Sequence, residues 1–278
     1  MQCSSRLPLA VPLGHDGAPG PPGGTGGCPL SQATFRFYSE LNDFLPIELR
    51  GVEVRYTFAQ RPTIKDAIEG LGIPHVEVEV ILIHGRSVDF TAHLRDGDRV
   101  SVYPMFESLD VGEVLRLRPS PLRNPRFLAD AHLRKLARLL RLLGFDTLYD
   151  NRSNDRRLVE IAEAESRIIL TRDRQLLKHG GVSRGYWVRS VDSMLQAREI
   201  LRRFDLRERV APFRRCTTCN GVIRPVDKAD VLERIPPKTA AWLDEYFACS
   251  SCGKLYWHGT HAERLKQRVA QILASEDG

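Results

Sequence analysis

The chain has 278 residues, 42% of them hydrophobic and 27% charged, enough for one large core or two to three smaller ones. Its formal charge of +6 fits a polyanionic partner and also an ordinary basic soluble protein. No apolar run approaches the roughly 20 residues of a membrane helix, and "LPLAVPL" is too short and too Pro-broken for a signal-peptide core. A membrane-spanning class is thereby excluded, and a cytoplasmic protein is expected. Residues 1–32, with "GHDGAPGPPGGTGG", lack hydrophobic periodicity and predict a disordered extension. Of the six cysteines, Cys3 and Cys28 fall in this leader and receive no role.

From Thr34 the pattern changes. "TFRFYS", "VEVRYTF", "VEVEVILIHG" and "DRVSVYPMF" alternate as strands do, and "TIKDAIEGLGI" predicts a short helix capped by Thr63. This ββαββ order, placed at residues 33–118, is similar to the α+β β-grasp fold of ubiquitin-like sulfur carriers, including the closing "DGDRVSVYP". Those carriers end in a Gly-Gly tail. Here the chain continues through Phe106, Glu107 and Ser108, so docking of a protein partner or scaffolding is expected in place of sulfur carriage.

"RLRPSPLRNP" supplies Pro119, Pro121 and Pro125, which is linker chemistry. Beyond it "RFLAD", "FDTLY", "RIILT" and "YWVRS" read as strands, alternating with a helix from His132 to Leu143 closed by Gly144, with "DRRLVEIAEAES" and with "DSMLQAREILRRF". Such alternation implies a parallel sheet covered on its faces, an α/β domain.

Ligands of an open parallel sheet collect beyond the carboxyl ends of its strands. Asp130, Asp173 and Asp192 stand at or just past such ends, and Asp155 opens the helix before "RIILT". Carboxylates brought together repel and take up protons unless a divalent cation sits among them, and hard oxygen ligands suit Mg²⁺ or Mn²⁺. Such a metal lowers the pKa of bound water and neutralises charge on a leaving oxygen, which is the chemistry of phosphodiester hydrolysis. Asp155 and Asp192 have a second reading as helix caps, and Asp130 and Asp173 as turn residues. Arg172 and Arg174 flank Asp173 and would face phosphate or steady the acid. On the first helix Leu133, Leu136, Ala137, Leu140 and Leu143 form one face and Arg134, Arg138 and Arg141 the opposite one, a solvated face or an RNA phosphate contact. Leu139 and Leu142 lie toward that outer face, where a domain contact could cover them.

Cys216-Thr-Thr-Cys219-Asn-Gly and Cys249-Ser-Ser-Cys252-Gly-Lys have the form of two zinc knuckles, a closed four-thiolate site for structural zinc. His258 and His261 are read as packing or solvated residues, and Tyr256 and Trp257 as either core or a stacking face for bases.

"RFLADAHLRKLARLLRLLGFDTLYD", "DRRLVEIAEAESRIILTRDRQLL", the two cysteine pairs and "LYWHGTH" together resemble the Mut-seven C-terminal ribonuclease domain, a PIN-like nuclease with a zinc ribbon. The resemblance runs from about Arg126 to His261, and the β-grasp segment ahead of it matches a known two-part arrangement. It implies a PIN-like three-layer parallel sheet at residues 124–210, a zinc ribbon at 211–265 and a tail at 266–278. It also implies a Mg²⁺- or Mn²⁺-dependent ribonuclease whose acidic site carries over onto Asp130, Asp155, Asp173 and Asp192. Many members have two adjacent acids where this chain has Asn154 and Asp155, so a one-metal enzyme is one expectation. The competing expectations are an RNA-binding adaptor with an idle nuclease fold and an adaptor acting through the β-grasp module.

Overall fold

The computed structural model describes residues 10–12, 30–104, 125–151 and 153–274. The chain divides into two compact units, Met1–Leu122 and Arg123–Gly278.

In the first unit β1 (Ala10–Pro12), β2 (Ser31–Phe37), β3 (Glu53–Phe58), β4 (Val78–Ile83), β5 (Arg86–Val88) and β6 (Arg99–Pro104) form one sheet in the order β1-β3-β2-β6-β4-β5. The central pair β2 and β6 is parallel and the other pairs are antiparallel. Along β2 every second side chain, Ala33, Phe35 and Phe37, is buried, the period of a half-buried strand. Helix α1 (Ile64–Gly70) adds Ile64, Ala67 and Ile68 to that core. It begins where the sequence predicts: the Thr63 hydroxyl accepts from the Asp66 amide at 3.1 Å, and the Asp66 carboxylate accepts in return from the Thr63 amide. The leader needs correction on two points. Ala10–Pro12 pair with β3 at the sheet edge, and β2 starts at Ser31. Cys3, Cys28 and residues 105–124, which include most of the predicted linker, lie outside the described residues.

In the second unit β7 (Phe127–Ala129), β8 (Thr147–Tyr149), β9 (Ile168–Thr171) and β10 (Gly185–Trp187) form an all-parallel sheet ordered β10-β9-β7-β8. Phe127, Leu128, Ala129, Ile169 and Leu170 are buried, as strands covered on both faces require. From β7 the chain steps outward to β8 through α2 (Arg134–Leu142), then back across β7 to β9 through α3 (Asp155–Ala164). Right-handed crossovers in opposite directions put the two helices on opposite faces, which makes three layers. After β9 come α4 (Arg174–Leu177) and, beyond β10, α5 (Ser193–Arg203), which packs on α2. Strand order reverses between β7 and β9, so their carboxyl ends flank the crevice where such sheets bind ligands.

β11 (Ile223–Val226), β12 (Tyr246–Cys249) and β13 (Leu255–Trp257) make an antiparallel ribbon, with α6 (Lys228–Val231) and α7 (Pro237–Ala240) between its first two strands. Val231, Ile235 and Tyr246 form its small core, with Trp257 packed against them. Helix α8 (Thr260–Leu273) returns to α5, burying Ile272, and Arg198 Nη2 donates to the Gln271 carbonyl at 2.7 Å. The expected division between ribbon and tail at 265/266 therefore falls inside a continuous helix. Among the described residues no helix is long and apolar enough to cross a membrane.

Candidate functional site

Asp130 follows β7 directly and is only 5% exposed. Its Oδ1 accepts from the His132 amide at 2.6 Å, and its Oδ2 accepts from the hydroxyl of Thr171, the last residue of β9. The same hydroxyl oxygen accepts from the Asp173 amide at 2.9 Å. Thr171, fully buried, thus ties Asp130 to the backbone that carries Asp173 across the point of strand reversal. Asp173 is exposed and caps α4, its Oδ1 accepting from the Gln175 amide at 2.7 Å.

Asp155 and Asp192 stand on the same edge of the sheet by topology but differ in employment. The cap of α3 is Asn154, whose side chain accepts from the Arg157 amide at 3.0 Å. Asp155 is the first helical residue, exposed and without a hydrogen bond or ion pair among the described residues. Asp192 caps α5, accepting from the Met194 and Leu195 amides at 2.8 and 3.1 Å. The four carboxylates do not converge tightly. Among the described residues, the one group of three or more His, Cys, Asp or Glu ligand atoms within 4.8 Å of one another is the cysteine set.

Of the expected RNA-facing arginines, Arg134 and Arg138 are exposed on α2. Arg172 is exposed and donates to the Ser190 carbonyl at 3.2 Å, while Arg174 lies over the Trp187 ring at 3.9 Å. Arg141 is a correction. It is 5% exposed, and its guanidinium donates to the carbonyls of Thr147 at 2.8 Å and of Thr217 and Thr218 at 3.4 and 2.9 Å. Burial holds its pKa below the usual arginine value, with nearby Cys219 and Cys216 opposing. It fastens α2 to the ribbon and is closed to RNA.

Two further residues shape this edge without having been singled out from the sequence. Thr171 is one. Glu199 is the other: buried on α5, it accepts from the Tyr186 hydroxyl at 3.0 Å and from the Arg189 and Ser190 amides at 2.8 and 2.9 Å, fixing the loop that leads to Asp192. Its signal was an acid within the helical face that also carries the apolar Ala197, Ile200 and Leu201.

The four ribbon cysteines converge, with Cys216 and Cys252 sulfurs 3.7 Å apart and Cys219 and Cys249 sulfurs 3.4 Å apart. Thiolates about 2.3 Å from a tetrahedral Zn²⁺ stand about 3.8 Å from each other, so the donor set fits that ion with no position left for water. A Cβ on Gly221 would lie 2.6 Å from the Cys249 sulfur, and Gly253 adopts φ +69°, which is why each knuckle carries a glycine. The Tyr256 hydroxyl donates to Cys216 Sγ at 3.0 Å. Burial opposes ionisation of Cys216, but that bond and the Cys219 and Thr218 amides outweigh it and bring the thiol down to about 6. Burial, against the Gly221 amide and aided by the other thiols, pushes Cys219 up to about 12. Tyr256 thus belongs to the surroundings of the four-cysteine cluster, Trp257 to the ribbon core, and His258 packs edge-on against Phe247 at 5.9 Å.

The knuckle is joined to the sheet. Asn220 Oδ1 accepts from the Thr147 amide at 3.0 Å, and its Nδ2 donates to Asp146 at 2.8 Å.

Residues 125–269 match the family model described as Mut7-C RNAse domain, and residues 30–110 the one described as Mut7-C ubiquitin. A human protein, the exonuclease mut-7 homolog (Homo sapiens), is 39% identical over 133 residues, which is 45% of this chain and 14% of that protein. The chain therefore spans only a small part of this relative's length. No solved structure matches.

Proposed function

We propose that this chain, which belongs to the Mut7-C RNAse domain family, is a metal-dependent ribonuclease acting at the carboxyl edge of its parallel sheet. The observation that carries the reading is the Asp130–Thr171–Asp173 linkage across the point where strand order reverses. Asp130 and Asp173 would hold a Mg²⁺ or Mn²⁺ ion, with Asp155 as the acid most open to join them and Asp192 assisting. Carboxylate oxygens are the hard donors these ions take, and Mg²⁺ keeps several waters, so a loose carboxylate set suffices. When bound, the ion supplies water of lowered pKa and neutralises charge on the leaving oxygen. The chain's own groups do the rest. Thr171 keeps Asp130 oriented, Arg172 offers an exposed guanidinium to phosphate, and Arg174 with Trp187 presents a stacked plane on which an unpaired base can lie. For the ubiquitin-like unit we infer docking of a protein partner.

A second reading, an RNA-binding adaptor with an idle site, draws support from the spread of the acids and from the capping work of Asp173 and Asp192. The test is cleavage of a pool of single-stranded and structured RNA with added Mn²⁺. Asp130→Asn and Asp173→Asn should each lower the rate about 10²-fold or more, since metal stabilisation of the transition state amounts to several kcal/mol. Wild-type rates in both variants would remove the assignment, and RNA binding without cleavage by the zinc-loaded wild type would favour the adaptor.

A further inference from the structure

The outer face of α2 carries cations that the nuclease reading does not use. Arg134, Lys135 and Arg138 are exposed and make no hydrogen bond or ion pair among the described residues. No acid occurs between Ala131 and Phe145. Their placement costs the helix stability on two counts. Arg134 and Lys135 occupy its first turn, the positive end of its dipole, where acids are favoured and none is present. Arg134 and Arg138 are like charges four residues apart, neighbours on one face. A bound anion would offset both costs, being drawn by the guanidinium groups and by the helix end together.

The row of cations has a definite course. It begins four residues after Asp130, at the carboxyl edge of the sheet, and α2 carries it toward the amino edge, about 10 Å from Arg134 to Arg141 at about 1.5 Å per residue. Arg141, next on the same line, turns inward to the Thr217 and Thr218 carbonyls with Cys219 and Cys216 close by. It answers the negative charge of the cysteine cluster and leaves Arg134, Lys135 and Arg138 for another anion. Past Arg141 the Thr218 hydroxyl accepts from Lys254 Nζ at 3.3 Å. That exposed ammonium lies 5.5 Å from the centre of the Tyr256 ring, with no carboxylate paired to it among the described residues. Four cations thus lead from the ribbon to the acids, as a polyanionic strand requires.

We propose that Lys254 and the outer face of α2 bind the phosphates of a single RNA strand, which runs from the ribbon along α2 to the acids at the carboxyl edge. The ligand class rests on the ribonuclease reading; the charge arrangement does not.

The test is equilibrium binding of a labelled single-stranded RNA to zinc-loaded full-length protein without added Mg²⁺ or Mn²⁺, as a function of salt. Arg134→Gln with Arg138→Gln should weaken binding about tenfold and lower the slope of log K against log salt by about 1.4, two phosphate contacts at about 0.7 each, and Lys254→Gln should lower it by about 0.7. Arg134→Lys with Arg138→Lys should keep the slope, and Arg55→Gln with Arg61→Gln, the same charge removed from the other unit, should change nothing. The Gln pair should melt no earlier than wild type, since it relieves repulsion; earlier melting together with weaker binding would mark a structural role and overturn the track. Wild-type affinity and slope in the Gln pair would overturn it too, as would an equal loss in the Arg55 and Arg61 variant or no RNA binding by wild type. A wild-type slope in Lys254→Gln would overturn its course to the ribbon. Binding of polyglutamate in place of RNA, dependent on Arg134 and Arg138, would give the surface to an acidic protein partner instead. Asp130-dependent cleavage that the Gln pair leaves intact, with binding unchanged, would sink the track and spare the nuclease. RNA held along α2 but never cut would do the reverse.

Discussion

The Thr171 hydroxyl gives a proton to one acid and takes an amide proton from the residue of another. Thr171→Val keeps the shape of the side chain and removes both bonds. A buried carboxylate oxygen and an amide left unpaired cost about 1–3 kcal/mol each, so the variant should melt earlier and lose RNA cleavage. Thr171→Ser, which keeps the hydroxyl, should recover most of both. A Val variant with wild-type cleavage would show that the linkage does not position the acids. Asp146 allows a pH test. Burial alone would raise its pKa, but bonds from Arg167 and Asn220 and the charges of Arg167 and Arg215 outweigh that and hold it below the ordinary 3.8. A depressed folded-state pKa stabilises above the unfolded value and the gain is lost as pH falls through the folded one. Asp146→Asn should therefore be the less stable protein near neutrality, with the difference closing below about pH 4. Urea midpoints taken from about pH 7 to about pH 2 would show it, and a constant difference would rule out this linkage.

Helix α2 shows how far a single element can be read alone. Its apolar stripe at Leu133, Leu136, Ala137, Leu140 and Leu143 directs Arg134, Arg138 and Arg141 outward, and the first two are exposed. Arg141 is buried because a knuckle 76 and 77 residues further along lays two carbonyls over it. Periodicity describes one helix and cannot carry that contact, although Leu139 and Leu142 on the same side hinted at a cover. The cysteine pairs, by contrast, were legible because each knuckle is a local turn, and Asp130 because it ends an apolar strand. Glu199 and Asn220 were not, since their partners lie on other elements. Arg141→Leu should leave the Thr147, Thr217 and Thr218 carbonyls without their donor. The expected cost is about 2–4 kcal/mol by thermal melting, with faster zinc release to a colorimetric chelator. Unchanged release would mean that α2 does not steady the ribbon.

At the scale of the whole molecule, the order of segments announced a β-grasp module, an α/β core and a ribbon, whereas the chain divides into two compact units, with the parallel sheet and the ribbon both in the second. The four acids and the four clustered cysteines all lie in the second unit, and α8 closes that unit by packing on α5. A unit with its own core folds by itself, so a chain of residues 123–274 should bind zinc and cleave RNA within about twofold of the full-length rate. Metal binding to a site absent from the unfolded chain is folding free energy. Because Asn220 and Arg141 join the knuckle to the sheet, stripping zinc should lower the melting temperature of this unit as a whole, while the described residues of the ubiquitin-like unit hold no such cluster of ligand atoms. Calorimetry of the full chain should then resolve two transitions, of which a chelator moves one. If both moved together, the units would be thermodynamically coupled, and the β-grasp module would have to be counted as part of the nuclease.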